Sequence, residues 1–220
     1  FPVDDAVAIG APRDATVEVV LVTSDRNRYL ATALELVEPT ELTVVDPLDP
    51  IDASEYDVVV LSNVDNDDLL RGNVEAAREV VEAGGGVAVQ AQERQVPKLG
   101  DLLLVAPQSI KENPDDGEVA DDPLTRGLTF PPPSRYVAGP LREGRPLVRL
   151  ADGSPLLAVA DRGEGRDLYF GYVESGSSFK FDYQYPIFWK RAVFSLAGRE
   201  PLSALNERAG GRLAFGSETT

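Results

Sequence analysis

Three groups of side chains in this sequence have the types and spacing to hold a ligand or move a proton. Asp65, Asp67 and Asp68, interleaved with Asn63 and Asn66, gather the oxygen ligands that a hard divalent cation such as Ca²⁺ takes from a flexible loop. No glycine or closing glutamate stands at helix-loop-helix calcium-site spacing, so a solvated acidic loop is the competing reading. Thr23, Ser24, Asp25, Asn27 and Arg28 follow a Val-rich run and lead into a helical one. An open parallel sheet places an anion or small polar ligand there, although helix capping accounts for the same residues. Ser175, Ser177, Ser178 and Lys180 could form a Ser–Lys pair, but Glu174 and Asp182 flank the lysine and favour its charged form. The chain has no His and no Cys, which removes the commonest nucleophile, proton shuttle and transition-metal ligand near neutral pH.

The elements that must position these groups follow from hydrophobic period. Residues 17–23 and 57–62 are continuous Val-rich runs, as expected of parallel strands covered on both faces. Asn27 can cap a helix carrying Tyr29, Leu30, Ala33, Leu34 and Val37 at helical spacing, ended by Pro39. Residues 41–45 read as a strand, and Asn73 as the cap of a helix bearing Val74, Ala77, Val80 and Val81. Gly84, Gly85 and Gly86 stop that helix and lead into a strand over 87–91. The glycines follow a helix and precede a strand, the reverse of a nucleotide-binding loop. Such alternation predicts βαβ units and a parallel sheet. Beyond Val105 the sequence turns polar and proline-rich and reads as loop, with one helical turn over 123–127. Strand-like runs return at 136–138, 147–150, 156–160 and 168–173, the last two joined by a hairpin connection, before a helix over 185–196 with Pro186 in its first turn. The aromatic residues Phe179, Phe181, Tyr183, Tyr185, Phe188 and Trp189 read mainly as core and docking surface. Residues 1–12 read as the tail of a preceding piece, 13–200 as one α/β domain, and 201–220 as a lead-in to a following domain. The absence of Met, with Phe at position 1, suggests a longer precursor.

A net charge of −16, with lysine only at positions 98, 111, 180 and 190, is the pattern of a protein that works in concentrated salt, where ions screen self-repulsion. An ordinary acidic protein is the alternative. Either way the acidic balance argues against nucleic acid as a partner. No apolar run is long enough to cross a bilayer, so a membrane is expected to be reached only through segments outside this chain.

Residues 21–30, Ala33, Leu34 and 56–60 resemble the class I glutamine amidotransferase-like domain of membrane-anchored proteins related to the aerotolerance Bat family, which occur with von Willebrand factor A domains. The segment 122–128, with Asp122 where that family has His, and the closing run from Tyr185 to Gly198 agree in order. The resemblance implies a Rossmann-like α/β fold: a mostly parallel sheet with helices on both faces, here with an antiparallel extension in the C-terminal half. It also implies haloarchaeal-like, envelope-associated relatives and a place on the extracytoplasmic side of the membrane. Ala91 or Gln92 stands where active amidotransferases carry their nucleophile, and neither can attack a carbonyl. The expectation is a non-catalytic, pseudoenzyme module without a cofactor that contacts neighbouring domains or envelope proteins. The alternatives are a small-ligand or divalent-cation sensor and a carboxylate-based hydrolase.

Overall fold

The computed structural model of the chain describes residues 16–24 and 27–199. Its first half alternates strands and helices: β1 (Val17–Val22), α1 (Arg28–Glu35), β2 (Thr40–Val45), β3 (Val58–Leu61), α2 (Arg71–Glu82) and β4 (Gly86–Gln90). The second half contains β5 (Ser109–Glu112), β6 (Glu118–Val119), β7 (Arg135–Ala138), β8 (Arg145–Arg149), β9 (Pro155–Arg162), β10 (Gly165–Phe170) and α3 (Gln184–Leu196). Eight strands form one sheet in the order β2-β1-β3-β4-β10-β9-β8-β6, while β5 and β7 pair as a separate antiparallel ribbon. The neighbours from β2 to β10 are parallel, and β9, β8 and β6 extend the sheet antiparallel. The fold is thus the expected Rossmann-like α/β fold, a mostly parallel sheet with helices on both faces and an antiparallel extension.

Successive side chains of a strand face opposite sides of the sheet, which divides the core in two. On one side Val19, Leu21, Val58, Val60, Ala88, Leu168 and Phe170 meet α1 and α3, and the aromatic rings of Tyr172, Phe179, Phe188 and Trp189 fill the layer. Phe170 and Phe188 stack with centroids 5.4 Å apart, and Phe170 lies 5.1 Å from Trp189. Gly86 lets α3 come this close, because a Cβ there would sit 2.6 Å from Leu196 Cβ. On the other side Val20, Val22, Val59, Leu61, Val87 and Val89 pack beneath α2. A third cluster, with Ala91, Leu104, Val105, Val137, Ala158, Ala160 and Tyr169, continues that second side over β9 and β10. The turn Pro97–Leu102, the segment after it and the β5–β7 ribbon cover it instead of a helix.

Two expectations need correction. The polar stretch after Val105 is not all loop, because β5 and β6 form there. Both are short, largely exposed edge strands held by backbone pairing, so no hydrophobic alternation marks them. Asn73 does not cap α2. The helix begins at Arg71, and the buried Asn73 side chain accepts from the Ile51 N–H and donates to the Pro47 and Asp49 carbonyls, fixing the preceding loop. The helical turn over 123–127 is present, with Asp122 Oδ1 accepting from the Leu124 N–H at 2.9 Å. The segments 1–12 and 201–220 lie outside the described residues.

Candidate functional site

From β1 the chain passes through α1 to β2 on one side and returns to β3 on the other, after which α2 lies on the opposite face. That reversal leaves a crevice beyond the carboxyl ends of β1 and β3, where open α/β sheets bind ligands. A cleft of about 680 Å³ opens there, with Ser24 after β1, Asn63 and Asp65 after β3, Gln92 and Arg94 after β4, and Lys180 opposite. Asn63 takes a left-handed backbone (φ 51°), its carbonyl accepts from the Ser24 N–H, and Ser24 Oγ accepts from the Asp65 N–H at 3.1 Å.

Beneath the cleft lies a buried polar network that sequence reading missed. Asn27 caps α1 as expected, its Oδ1 accepting from the Leu30 N–H at 3.1 Å. Its Nδ2 also donates to Ser62 Oγ and Gln90 Oε1, both at 3.2 Å, and Gln90 Nε2 donates to the Tyr172 carbonyl at 2.9 Å. Polar residues that close otherwise apolar strands, Ser62 after β3 and Gln90 at the end of β4, were the available signal. A fully satisfied buried network holds the strand ends in one arrangement.

The position expected for a nucleophile is used structurally. Ala91 is buried, and its N–H donates to the Phe170 carbonyl at 2.7 Å. Gln92 donates from Nε2 to the Val64 carbonyl at 3.0 Å and accepts on Oε1 from the Val64 N–H at 2.9 Å, tying the end of β4 to the loop after β3. Among the described non-glycine residues only Asn63 and Asn113 have positive φ, so the strained elbow that exposes a nucleophile is not formed at 91–94. Nearby charges are paired: Glu93 accepts from Arg135 at 2.8 Å and from Ser175 Oγ at 2.7 Å, and Arg94 meets Asp65 at 3.2 Å.

The remaining candidates separate. Thr23 is buried, with its N–H donating to the Val45 carbonyl, Arg28 lies exposed on α1, and Asp25 is outside the described residues. In the acidic loop Asp65 Oδ1 accepts from the Asp67 N–H, and Lys98 Nζ donates to the Asp67 and Leu69 carbonyls. Asp65, Asp67 and Asp68 are therefore not gathered as a ligand set, and no cluster of three metal-ligating side chains occurs among the described residues. Lys180 donates to the Glu174 carbonyl at 2.7 Å and sits 5.1 Å from the Tyr29 ring centre and 5.3 Å from that of Phe181, while Ser175 turns to Glu93. Asp122 is buried, its Oδ2 accepting from Arg145 at 2.6 Å.

Known structures share this architecture. The cytoplasmic protein STM1381 of Salmonella typhimurium LT2 superposes with a TM-score of 0.67 at 16% identity over 81% of this chain and 99% of its own. The cytoplasmic protein STM3548 of Salmonella typhimurium gives 0.65 at 15% identity, over 82% of this chain and 98% of its own. PurLQS of Thermotoga maritima gives 0.50 at 17% identity, over 82% of this chain and 99% of its own. At these identities the likeness is one of fold. No curated protein matches the chain. The expected extracytoplasmic, envelope-associated placement is overturned by these neighbours, since both Salmonella proteins are described as cytoplasmic. No described helix is long and apolar enough to cross a membrane. Residues 18–192 match the family profile of a domain of unknown function, and the chain belongs to that family, DUF7408.

Proposed function

We propose that this domain is a non-catalytic binding module whose crevice at the β1/β3 reversal takes a small polar ligand. The observation that carries the reading is the state of Gln92, which lines the cleft at the nucleophile's position with both ends of its amide bonded to Val64. The crevice offers hydroxyl groups to a ligand, among them Ser24 and Ser175, and its charges nearly balance: Asp65 pairs with Arg94, Glu93 pairs with Arg135 outside the crevice, and Glu174 and Lys180 add one of each sign. A ligand carrying a large net charge would meet little unbalanced field there. The net charge of −16 supports operation in concentrated salt.

Thermal unfolding against sugars, amino-acid amides, nucleoside monophosphates and Ca²⁺ tests the reading. A ligand at one hundred times its dissociation constant adds about 2.7 kcal/mol of stability, and Ser24→Ala with Ser175→Ala should reduce that gain. Hydrolysis of an amide or ester that disappears in Glu93→Gln would replace binding with catalysis. A second reading, contact with a partner protein, is favoured by the aromatic residues beside the cleft: Phe181 is 66% and Tyr183 76% exposed, and Phe181 meets Tyr29 edge-on. Pull-down of a defined partner that is lost in Phe181→Ser with Tyr183→Ser, with no stabilisation by any small ligand, would favour it.

A further inference from the structure

The two edges of the large sheet are finished differently. One ends on β6, which is two residues long and leaves little backbone open. The other ends on β2, whose six residues pair with β1 alone among the described residues. The Pro39 and Val45 carbonyls accept from the Val17 and Thr23 N–H groups, which sets the direction of every residue between them. Glu41, Thr43 and Val45 turn their main-chain groups toward β1, so those of Thr40, Leu42 and Val44 point away from the sheet. An open edge of this length is a template for one more strand, and native proteins blunt such edges with lysine, proline or a bulge. β2 has none of these: residues 40–45 contain no Lys or Pro, and their register with β1 runs without a shift.

Side-chain pattern and charge narrow the occupant. Leu42 packs against the core beneath α1 and α3, Val45 against the core beneath α2, and Glu41 shares the Val45 side of the strand. On and beside the strand Leu36, Val44 and Leu48 are exposed. Glu35, Glu38, Glu41, Asp46 and Asp49 are exposed as well, and none forms an ion pair with a described residue. Between Arg28 and Arg71 the chain contains no Lys or Arg. A second copy would bring the same carboxylates against this edge, and like charges facing one another across paired strands are destabilising. A strand carrying Lys or Arg meets opposite charge instead. We propose that the outer edge of β2 binds an extended basic segment of a partner protein, which joins the sheet as a further strand. Its apolar residues lie on the Leu42 and Val44 side and its Lys or Arg residues on the Glu41 side. Main-chain bonds supply the pairing and charge selects the sequence, so added salt weakens the preference for a basic strand. The contact is separate from the crevice, which no residue of β2 lines.

A short acetylated peptide alternating lysine and valine is the probe, with a glutamate–valine peptide as control. Amide hydrogen exchange in the intact chain is the readout, at the lowest salt in which the chain stays folded. In the free chain the Leu42 and Val44 amides should exchange fast and those of Thr43 and Val45 slowly. Saturating lysine–valine peptide should slow the Leu42 and Val44 amides about ten-fold, and the glutamate–valine peptide should leave them unchanged. Val44→Pro removes one outward N–H and no bond to β1, a change that sheet edges tolerate, and should abolish the response. Glu38→Lys with Glu41→Lys should weaken the basic peptide about ten-fold, which keeps the test open should the proline variant misfold. The proposal fails if the basic peptide slows neither amide, if both peptides act alike, or if the peptide binds Val44→Pro as tightly as the parent chain. Slow exchange at Leu42 and Val44 in the free chain also overturns it. Independent of concentration, that result means a segment of this chain already fills the edge; growing with concentration, it means a second copy does.

Discussion

On one face of the sheet α1 and α3 bury Trp189, Phe188 and Phe170 against β1, β4 and β10, whereas on the other α2 covers β3 and β4 and leaves the outer strands to the 97–110 segment. The first face is filled by interlocking aromatic rings and is shaped closely enough to require glycine at position 86. The second is filled by smaller aliphatic residues, and where the helix ends it keeps a cavity and two polar side chains of β10, Asp167 and Tyr169, each with a buried oxygen lacking a partner. A helix presents a continuous ridge of side chains to a sheet, while an irregular segment must also satisfy its own backbone. The difference in cover therefore sets where this molecule is tight and where it has room.

Substitutions that probe each face should separate the two. Trp189→Ala is expected to have the largest effect, a loss of about 3–5 kcal/mol in urea unfolding, because it empties the centre of the aromatic layer. Leu99→Ala, beside space that already exists, should fall near about 2 kcal/mol, the low end for a buried leucine. Equal losses would erase the contrast. Gln90→Leu comes next: it strips Asn27, Ser62 and the Tyr172 carbonyl of a shared partner and should cost about 1–3 kcal/mol. A neutral result there would mean the network does not hold the strand ends.

Acid titration distinguishes the faces through two aspartates. Burial of Asp167, offset only in part by its ion pair with Arg162 and reinforced by the nearby charges of Glu143 and Asp101, raises its pKa to about 6. The folded chain then holds that proton more firmly than the unfolded chain, so this group makes stability fall as pH rises from about 4 to 6. Asp167→Asn should remove the slope, and an unchanged unfolding midpoint between pH 4 and 6.5 in the parent protein would contradict the assignment. Asp152 behaves oppositely. Its burial works to raise the pKa, but bonds from Lys111, the Ser154 N–H and Tyr136 outweigh it and hold the carboxyl well below the usual range. Its stabilisation is complete above the ordinary carboxylate pKa and is lost as pH falls below it.

The smallest effects should differ in sign. Tyr172→Phe removes a bond to the Pro131 carbonyl and should cost about 1 kcal/mol. Tyr169→Phe removes a hydroxyl with no partner and should be neutral or slightly stabilising in calorimetry. Matching losses would show that Tyr169 is already engaged.

Much of the framework was legible because the signals were local. Continuous Val runs announced β1 and β3, Asn27 announced its own cap, and Gly84 ended α2 with a positive φ of 92°. The crevice was legible at Ser24, since a βα junction at a sheet reversal is a positional rule. What could not be read depended on contacts across long sequence separations. Gln92 meets Val64, Glu93 meets Arg135 and Ser175, and Gln90 meets Asn27 and Tyr172, none of which a residue pattern encodes. The same holds for β5 and β6, whose pairing is carried by backbone groups and whose side chains are those of a surface loop.

The double amide bridge from Gln92 to Val64 also limits what this family member could become. Installing a thiol at that position would cut the cross-tie between the end of β4 and the loop after β3. Reactivity and form compete there for a single side chain. A reactive side chain there would need a replacement brace elsewhere to keep the strand end in place.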